Sequence, residues 1–255
     1  MSPFLAEFLG TAILVIFGNG VVANVLLSRT KGHGGGWIVI SFGWGMAVFV
    51  AVFCVSKYSG AHLNPAVTIA MTAGGKLAIA QAPLYIAAQM IGAIAGACIV
   101  YFFYRPHYEL TDDGDAKLAT FATAPTVRNI PWAFLCETIG TFMLVLPLFF
   151  MVDPTIDMGD IAEAQQKRSY TLGLGALGAL PVGLLVFAIG MSLGGTTGYA
   201  INPARDLGPR IAHAFLPIPG KRDSDWGYAW VPVIGPIIGG LLAALAHSFM
   251  LAAPQ

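Results

Sequence analysis

The chain has 255 residues, of which 56% are hydrophobic and 10% charged, whereas an ordinary soluble domain carries about 25% charged residues. Its 13 basic and 13 acidic residues balance, which leaves no electrostatic basis for a nucleic-acid partner. These figures exclude a typical soluble enzyme and point to a chain that sits in a lipid bilayer.

Six apolar blocks follow in order: Phe4–Leu27, Trp37–Val55, Pro83–Tyr104, Trp132–Val152, Leu172–Leu193 and Tyr228–Leu251. Each is long enough to cross a bilayer as a helix, which takes roughly 20 residues. The first block starts almost directly after Met1 without a basic flank, so it reads as a span rather than a cleavable leader. Cys54, Cys98 and Cys136 fall inside apolar blocks with no metal or redox spacing. They read as packing residues, and neither a metal nor a cofactor is expected. Asp112, Asp113 and Asp115 read as a solvated loop.

The chain repeats itself. Ala6-Glu7-Phe8-Leu9-Gly10-Thr11 opens the first half, and Cys136-Glu137-Thr138-Ile139-Gly140-Thr141 opens the second. Gln89–Ala93 matches Gly235–Gly239, and Gly92, Gly96, Gly235 and Gly239 form small-residue patterns that let helices approach closely in lipid. The tripeptide Asn-Pro-Ala occurs at Asn64-Pro65-Ala66 and again at Asn202-Pro203-Ala204. Glu7 and Glu137 are 130 residues apart and the two tripeptides 138, so the second half carries extra length, placed in Asp153–Thr171. Residues 1–127 form the first repeat and residues 128–255 the second.

Three spans per half is an odd number, so the second half enters from the opposite face and the repeats are inverted. Asn is a good N-cap and Pro is favoured at the first helical position. Each tripeptide therefore starts a helix, and Pro65–Met71 and Pro203–His213 are too short to cross alone. They are placed as re-entrant half-helices meeting head to head. Irregular backbone before each cap, at Ser59–Leu63 and Thr196–Ile201, survives at that depth only if it lines water or protein. The expected fold is an all-α membrane protein of six transmembrane helices plus two re-entrant half-helices around a pore.

Three stretches, Ala-Glu-Phe-Leu-Gly-Thr, Ser59-Gly60-Ala61-His62-Leu63-Asn64-Pro65-Ala66-Val67-Thr68 and Gly198-Tyr199-Ala200-Ile201-Asn202-Pro203-Ala204-Arg205-Asp206, together resemble the major intrinsic proteins, the aquaporins and aquaglyceroporins. The resemblance covers essentially the whole chain. It implies a homotetramer with one pore per subunit, passive conduction of small neutral solutes, a multi-pass place in the cell membrane and cytoplasmic termini. Asp206 directly after Arg205 is similar to the glycerol-facilitator form, as are Arg210 and Pro232. By the same resemblance the selectivity filter is Trp44, Gly190, Tyr199 and Arg205, with Tyr199 departing from the more frequent Phe. Its hydroxyl is expected to narrow or polarise the filter, while Gly190 leaves space beside the aromatic corner.

Arg205 is a permanent cation at membrane depth, tolerable facing water or a partner. Either it offers its donors to a passing solute and repels cations, or it pairs with Asp206. Asn64 and Asn202 are placed at the pore centre, where two half-helix N-termini add positive partial charge. The carbonyls of Gly60, Ala61, His62 and Leu63, and of Gly198, Tyr199, Ala200 and Ile201, form acceptor ladders on either side. Glu7 and Glu137 are buried acids with two open roles, a proton relay or a brace that binds loop N–H groups and turns these carbonyls to the pore. His62 resembles the family's loop histidine, with a pH-sensing role as the alternative.

The resulting expectation is a non-enzymatic channel for glycerol and other small uncharged solutes, with water passing. Undissociated lactic acid, dihydroxyacetone, urea, hydrogen peroxide or water are the alternative substrates. A proton-coupled secondary transporter is a different class that stays open. Counting Arg29, Lys31, Arg105, Lys117, Arg128, Lys221 and Arg222 against Lys57, Lys76, Lys167 and Arg168 favours the reverse orientation to the one the resemblance implies.

Overall fold

Six helices long and apolar enough to cross a membrane dominate the computed structural model, which describes residues 1–152, 154–157 and 169–252. In chain order they are α1 (Pro3–Leu26), α2 (Trp37–Ser59), α4 (Ala82–Glu109, led in by a 3₁₀ turn), α6 (Ile130–Phe150), α7 (Leu180–Leu193, with a 3₁₀ lead-in over Gly175–Ala179) and α9 (Val231–Ala252). Three shorter helices, α3 (Pro65–Ala73), α5 (Gly114–Ala119) and α8 (Pro203–Phe215), lie between them. The spans match the six apolar blocks. Their outer faces expose large apolar side chains such as Phe103 and Phe249, as lipid-facing helices do.

The helix starts follow local chemistry. Ser2 accepts from the Leu5 N–H at 3.3 Å with Pro3 behind it, and Asn129 accepts from the Trp132 N–H at 3.1 Å. Asn64 and Asn202 cap α3 and α8 in the same way, each followed by proline. Gly60 ends α2 with φ +79°, a conformation that favours glycine, and donates to the Ser56 carbonyl at 2.8 Å.

Equivalent helices pack in equivalent pairs, α1 on α4 and α6 on α9, with α2 crossing α7 between them. At that crossing Gly45 and Gly183 face each other. A Cβ on Gly45 would lie 2.8 Å from the Gly183 carbonyl oxygen, and one on Gly183 would lie 2.7 Å from that of Gly45. These two glycines are 138 residues apart, as are the two Asn-Pro-Ala motifs. The spacing of 130 between Glu7 and Glu137 has therefore already grown by α7. The match in the third spans is shifted by one residue from the sequence expectation. Gly92 packs on the Phe8 carbonyl and Gly239 on that of Thr138, so these two are the equivalents, and Gln89 falls opposite Pro236.

Of the stretch Asp153–Thr171, expected to hold the extra length, the structure describes a short antiparallel pair, β1 (Thr155–Asp157) and β2 (Ser169–Thr171), with Ile156 opposite Tyr170. Asp153 and residues 158–168, including Lys167 and Arg168 of the charge count, lie outside the described residues. The acidic run is also more than a solvated loop: Asp113 caps α5 through the Asp115 N–H at 2.8 Å, and Asp115 pairs with Arg222.

Candidate pore and filter

The two stretches before the half-helices are built to the same plan. Glu7 Oε1 accepts from Ser59 Oγ at 2.6 Å and from the His62 N–H at 3.0 Å, and Oε2 accepts from the Leu63 N–H at 2.7 Å. Glu137 Oε1 accepts from Thr197 Oγ1 at 2.6 Å and from the Ala200 N–H at 3.0 Å, and Oε2 from the Ile201 N–H at 2.8 Å. Both carboxylates are buried. Each group of bonds holds a backbone in which non-glycine residues take positive φ: Ala61 (+52°) and Leu63 (+50°), then Tyr199 (+39°) and Ile201 (+43°). Such residues cost about 1–3 kcal/mol each unless the surroundings impose them. Hydrogen bonds to a charged group contribute about 1.5–3 kcal/mol, so three per carboxylate suffice to hold each loop.

The loops differ in one partner that the sequence reading had not assigned a role. Gln89 Nε2 donates to Glu7 Oε2 at 2.7 Å and to Thr68 Oγ1 at 2.9 Å, and Thr68 in turn faces His62 Nδ1 at 3.2 Å. Glu137 has no such amide partner among the described residues, because Pro236 stands where Gln89 would be.

Asn64 and Asn202 are linked across the centre. Asn64 Nδ2 donates to the Ile201 carbonyl, and Asn202 Nδ2 to the Leu63 carbonyl, both at 2.8 Å. Their Oδ1 atoms accept the first N–H groups of α3 and α8. One Nδ2 hydrogen of each amide is thus spent on the other loop. The Leu63 and Ile201 carbonyls, read from sequence as free acceptors, each already take one of these bonds.

A cavity of about 290 Å³ runs along this centre. Gly60, Ala61, His62, Leu63 and Asn64 line it from one loop, and Tyr199, Ala200, Ile201, Asn202 and Arg205 from the other, with Trp44 beside them. Pro65, Ala66, Pro203 and Ala204 lie behind, buried in the first turns of α3 and α8. Gly190, Gly198, Glu7, Glu137 and Asp206 are also outside the lining.

Trp44, Tyr199 and Arg205 line this cavity, and Gly190 packs against Tyr199. The Arg205 guanidinium carbon sits 4.2 Å from the centre of the Trp44 ring, a cation–π contact. The Arg205 Nη1 and Trp44 Nε1 atoms are buried without a partner among the described residues. Gly190 does not leave open space: a Cβ there would lie 2.9 Å from both Cζ and Oη of Tyr199 and 3.1 Å from Ser41 Cβ. The Tyr199 ring fills the gap, and its hydroxyl is buried without a partner among the described residues. Trp37 supports this corner. Its Nε1 donates to the Gly190 carbonyl at 2.8 Å and its ring meets Tyr199 edge-on at 5.8 Å. Trp37 and Ser41 escaped the sequence reading, although their spacing of seven and three residues before Trp44 puts them on its helical face.

Asp206 turns away from Arg205. Its carboxylate binds Arg210 through Nε at 2.8 Å and Nη2 at 3.1 Å, and takes the N–H and Oγ1 of Thr123, both at 2.7 Å. The four candidate filter residues also have repeat counterparts at the spacing of 138. Trp44 corresponds to Val182, Gly190 to Val52, Tyr199 to Ala61 and Arg205 to Val67, all four counterparts lining the cavity. Trp44, Tyr199 and Arg205 thus bring a cation and two aromatic rings to the lining, whereas all four counterparts are small and apolar.

Comparison with known proteins agrees with this geometry. Residues 1–247 match the family described as "Major intrinsic protein". The chain is 53% identical over 250 residues to a probable glycerol uptake facilitator protein of Thermotoga maritima, covering 98% of this chain and 100% of that one. It is 53% identical over 248 residues to the glycerol uptake facilitator protein of Bacillus subtilis, covering 97% of this chain and 84% of that one. The X-ray structure of the aquaglyceroporin from Plasmodium falciparum superposes with a TM-score of 0.79 at 30% identity, over 98% of this chain and 96% of that one.

Proposed function

We propose that this chain, which belongs to the major intrinsic protein family, is a passive channel for glycerol and similar small uncharged solutes, with water also passing. The observation that carries the reading is the filter corner: Arg205 stacked on Trp44 with Nη1 unpartnered, beside the Tyr199 ring. A polyol has an edge of hydroxyls and an edge of CH groups. Arg205 donors suit the first and the Trp44 and Tyr199 rings the second, while a permanent guanidinium repels cations. The full-length similarity to glycerol uptake facilitators supports the same substrate class.

In this reading Asn64 and Asn202 each keep one N–H for a solute oxygen at the centre. Glu7 and Glu137 act as braces, since every oxygen is committed to loop donors. The loop carbonyls offer weak repeated acceptors, which conduction needs more than one tight site. Residues 1–127 and 128–255 act as inverted repeats, and four subunits assemble with one pore each in the cell membrane. Cytoplasmic termini put the filter on the outside. The excess of basic residues there is largely engaged: Arg128 binds Asp225 at 2.5 and 2.7 Å, Arg222 pairs with Asp115 and Asp223, and Lys221 donates to the carbonyls of His213, Ala214 and Leu216.

Stopped-flow light scattering of proteoliposomes, challenged in turn with sucrose, glycerol, dihydroxyacetone and lactic acid at low pH, tests the assignment. Glycerol entry to equilibrium, indifferent to a protonophore, is the expected result. Water flux with no glycerol entry overturns the substrate, and accumulation against a gradient overturns the channel.

A further inference from the structure

We propose that Arg210, which lies outside the pore lining, is a positioning residue for cation exclusion: it holds and neutralises Asp206, so that Arg205 faces the cavity without being outweighed by the carboxylates near it. The inference rests on the filter reading above.

All five donors of Arg210 are committed. Nε and Nη2 take the two oxygens of Asp206, Nη2 also reaches the Thr123 carbonyl at 2.8 Å, and Nη1 reaches the carbonyls of Ser224 at 2.7 Å and Asp225 at 3.3 Å. Both side chains of the pair are fully buried. An ion pair so deeply buried is weak support for stability, because an apolar replacement of similar volume often does as well. The pair is better explained by what surrounds it. Four charges cluster at the filter: Arg205, and behind it Asp206, Arg210 and Glu137. Glu137 is spent on the Thr197, Ala200 and Ile201 donors, and none of Glu137, Asp206 or Arg210 lines the cavity. The cluster is neutral overall with its positive end at the solute path. Without Arg210 it carries a net negative charge next to the filter, in surroundings where water screens poorly.

Arg210 also fixes where that charge sits. Thr123, held by both Asp206 and Arg210, packs on Gly198, where a Cβ would lie 3.3 Å from Thr123 Cγ2. Gly198 directly precedes Tyr199. Asp206 therefore seats Thr123 beside the residue that precedes Tyr199, while Arg210 supplies the balancing charge.

The test is parallel measurement of cation conductance across planar bilayers and glycerol entry into proteoliposomes for the full-length protein. Arg210→Gln is expected to raise cation conductance on the order of tenfold or more while glycerol entry stays within about threefold. The double variant Asp206→Asn/Arg210→Gln removes both charges and is expected to restore exclusion. Arg210→Lys, which keeps the charge but loses most carbonyl contacts, is expected to exclude cations as the parent does. A cation-tight Arg210→Gln channel, a double variant as leaky as the single one, or a leaky Arg210→Lys each overturns the proposal. If Arg210→Gln does not reach the membrane, Arg210→Met is measured in its place with the same expected and overturning results. Failure of the parent to pass glycerol would instead sink the filter reading, so the two failures are separable.

Discussion

Replacing Gly190 with alanine adds a single methyl group at a position outside the cavity lining, and its effect on glycerol flux can be worked from the structure. The new Cβ would sit 2.9 Å from Cζ and Oη of Tyr199 and 3.1 Å from Cβ of Ser41. Carbon atoms prefer separations of about 3.5–4.0 Å, so something must yield by roughly 0.6–1 Å. Ser41 is buried in α2 and Trp37 meets Tyr199 edge-on, which leaves the cavity as the open direction for the Tyr199 ring. Overpacking of this size costs about 1–3 kcal/mol, and at 1.4 kcal/mol per decade a barrier of that height slows a passing solute by roughly 5- to 150-fold. Water needs less width than a polyol. Stopped-flow scattering on Gly190→Ala proteoliposomes should thus show glycerol entry reduced at least about fivefold with water flux within about threefold of the parent. Glycerol entry within twofold of the parent would refute the placement of Tyr199 against Gly190 as the determinant of filter width.

Arg205→Ala should relax selectivity, admitting cations and larger polyols while leaving the oligomer intact on native gels; an unchanged selectivity profile counts against the filter assignment. Glu137→Gln replaces one acceptor oxygen by a donor facing a backbone N–H, losing about 1.5–3 kcal/mol. At about 2–4 °C per kcal/mol the midpoint in detergent should fall by roughly 3–12 °C, with glycerol flux falling alongside; equal stability of variant and parent would contradict the brace. Glu7→Gln should be the milder change, because Gln89 supplies a further partner to the side chain at that position, a comparison readable in the same melt. Two hydrogen bonds from Arg128 hold the Asp225 carboxyl below the usual aspartate range. A depressed folded value contributes stability that is fully present above the unfolded value of about 3.9 and is lost as pH falls through the folded value. Thermal melts of the parent should therefore lose this increment only below about pH 4, and Asp225→Asn should flatten that part of the profile.

Much of this architecture is written locally. Each span is a run of apolar residues whose backbone must bond within itself in lipid, and each half-helix start is an Asn followed by Pro, a signal contained in two adjacent residues. The duplicated Glu-x-x-Gly frame likewise placed one carboxylate per half, because both halves kept the same residues. The candidate filter was harder to read. Its four residues come from α2, α7 and the loop and first turn of α8, and the departures arose wherever distant segments meet. Gly190 leaves no gap because Tyr199 fills it from nine residues on. Asp206 binds Arg210 rather than its neighbour Arg205, since a spacing of four residues shares a helix face and a spacing of one does not.

The amino-acid order by itself determined six spans, two capped half-helices, a pair of buried acids and a cation at membrane depth, all consequences of hydropathy and short-range hydrogen bonding. Only the tertiary structure decided which carbonyls Asn64 and Asn202 bind, how Tyr199 is turned and that Thr123 seats the Asp206 carboxylate. Those choices depend on contacts between residues more than 80 apart, such as Thr123 with Asp206 and Asn64 with Ile201. No pattern within a single segment encodes them, because they are set by how the two halves close around a shared centre.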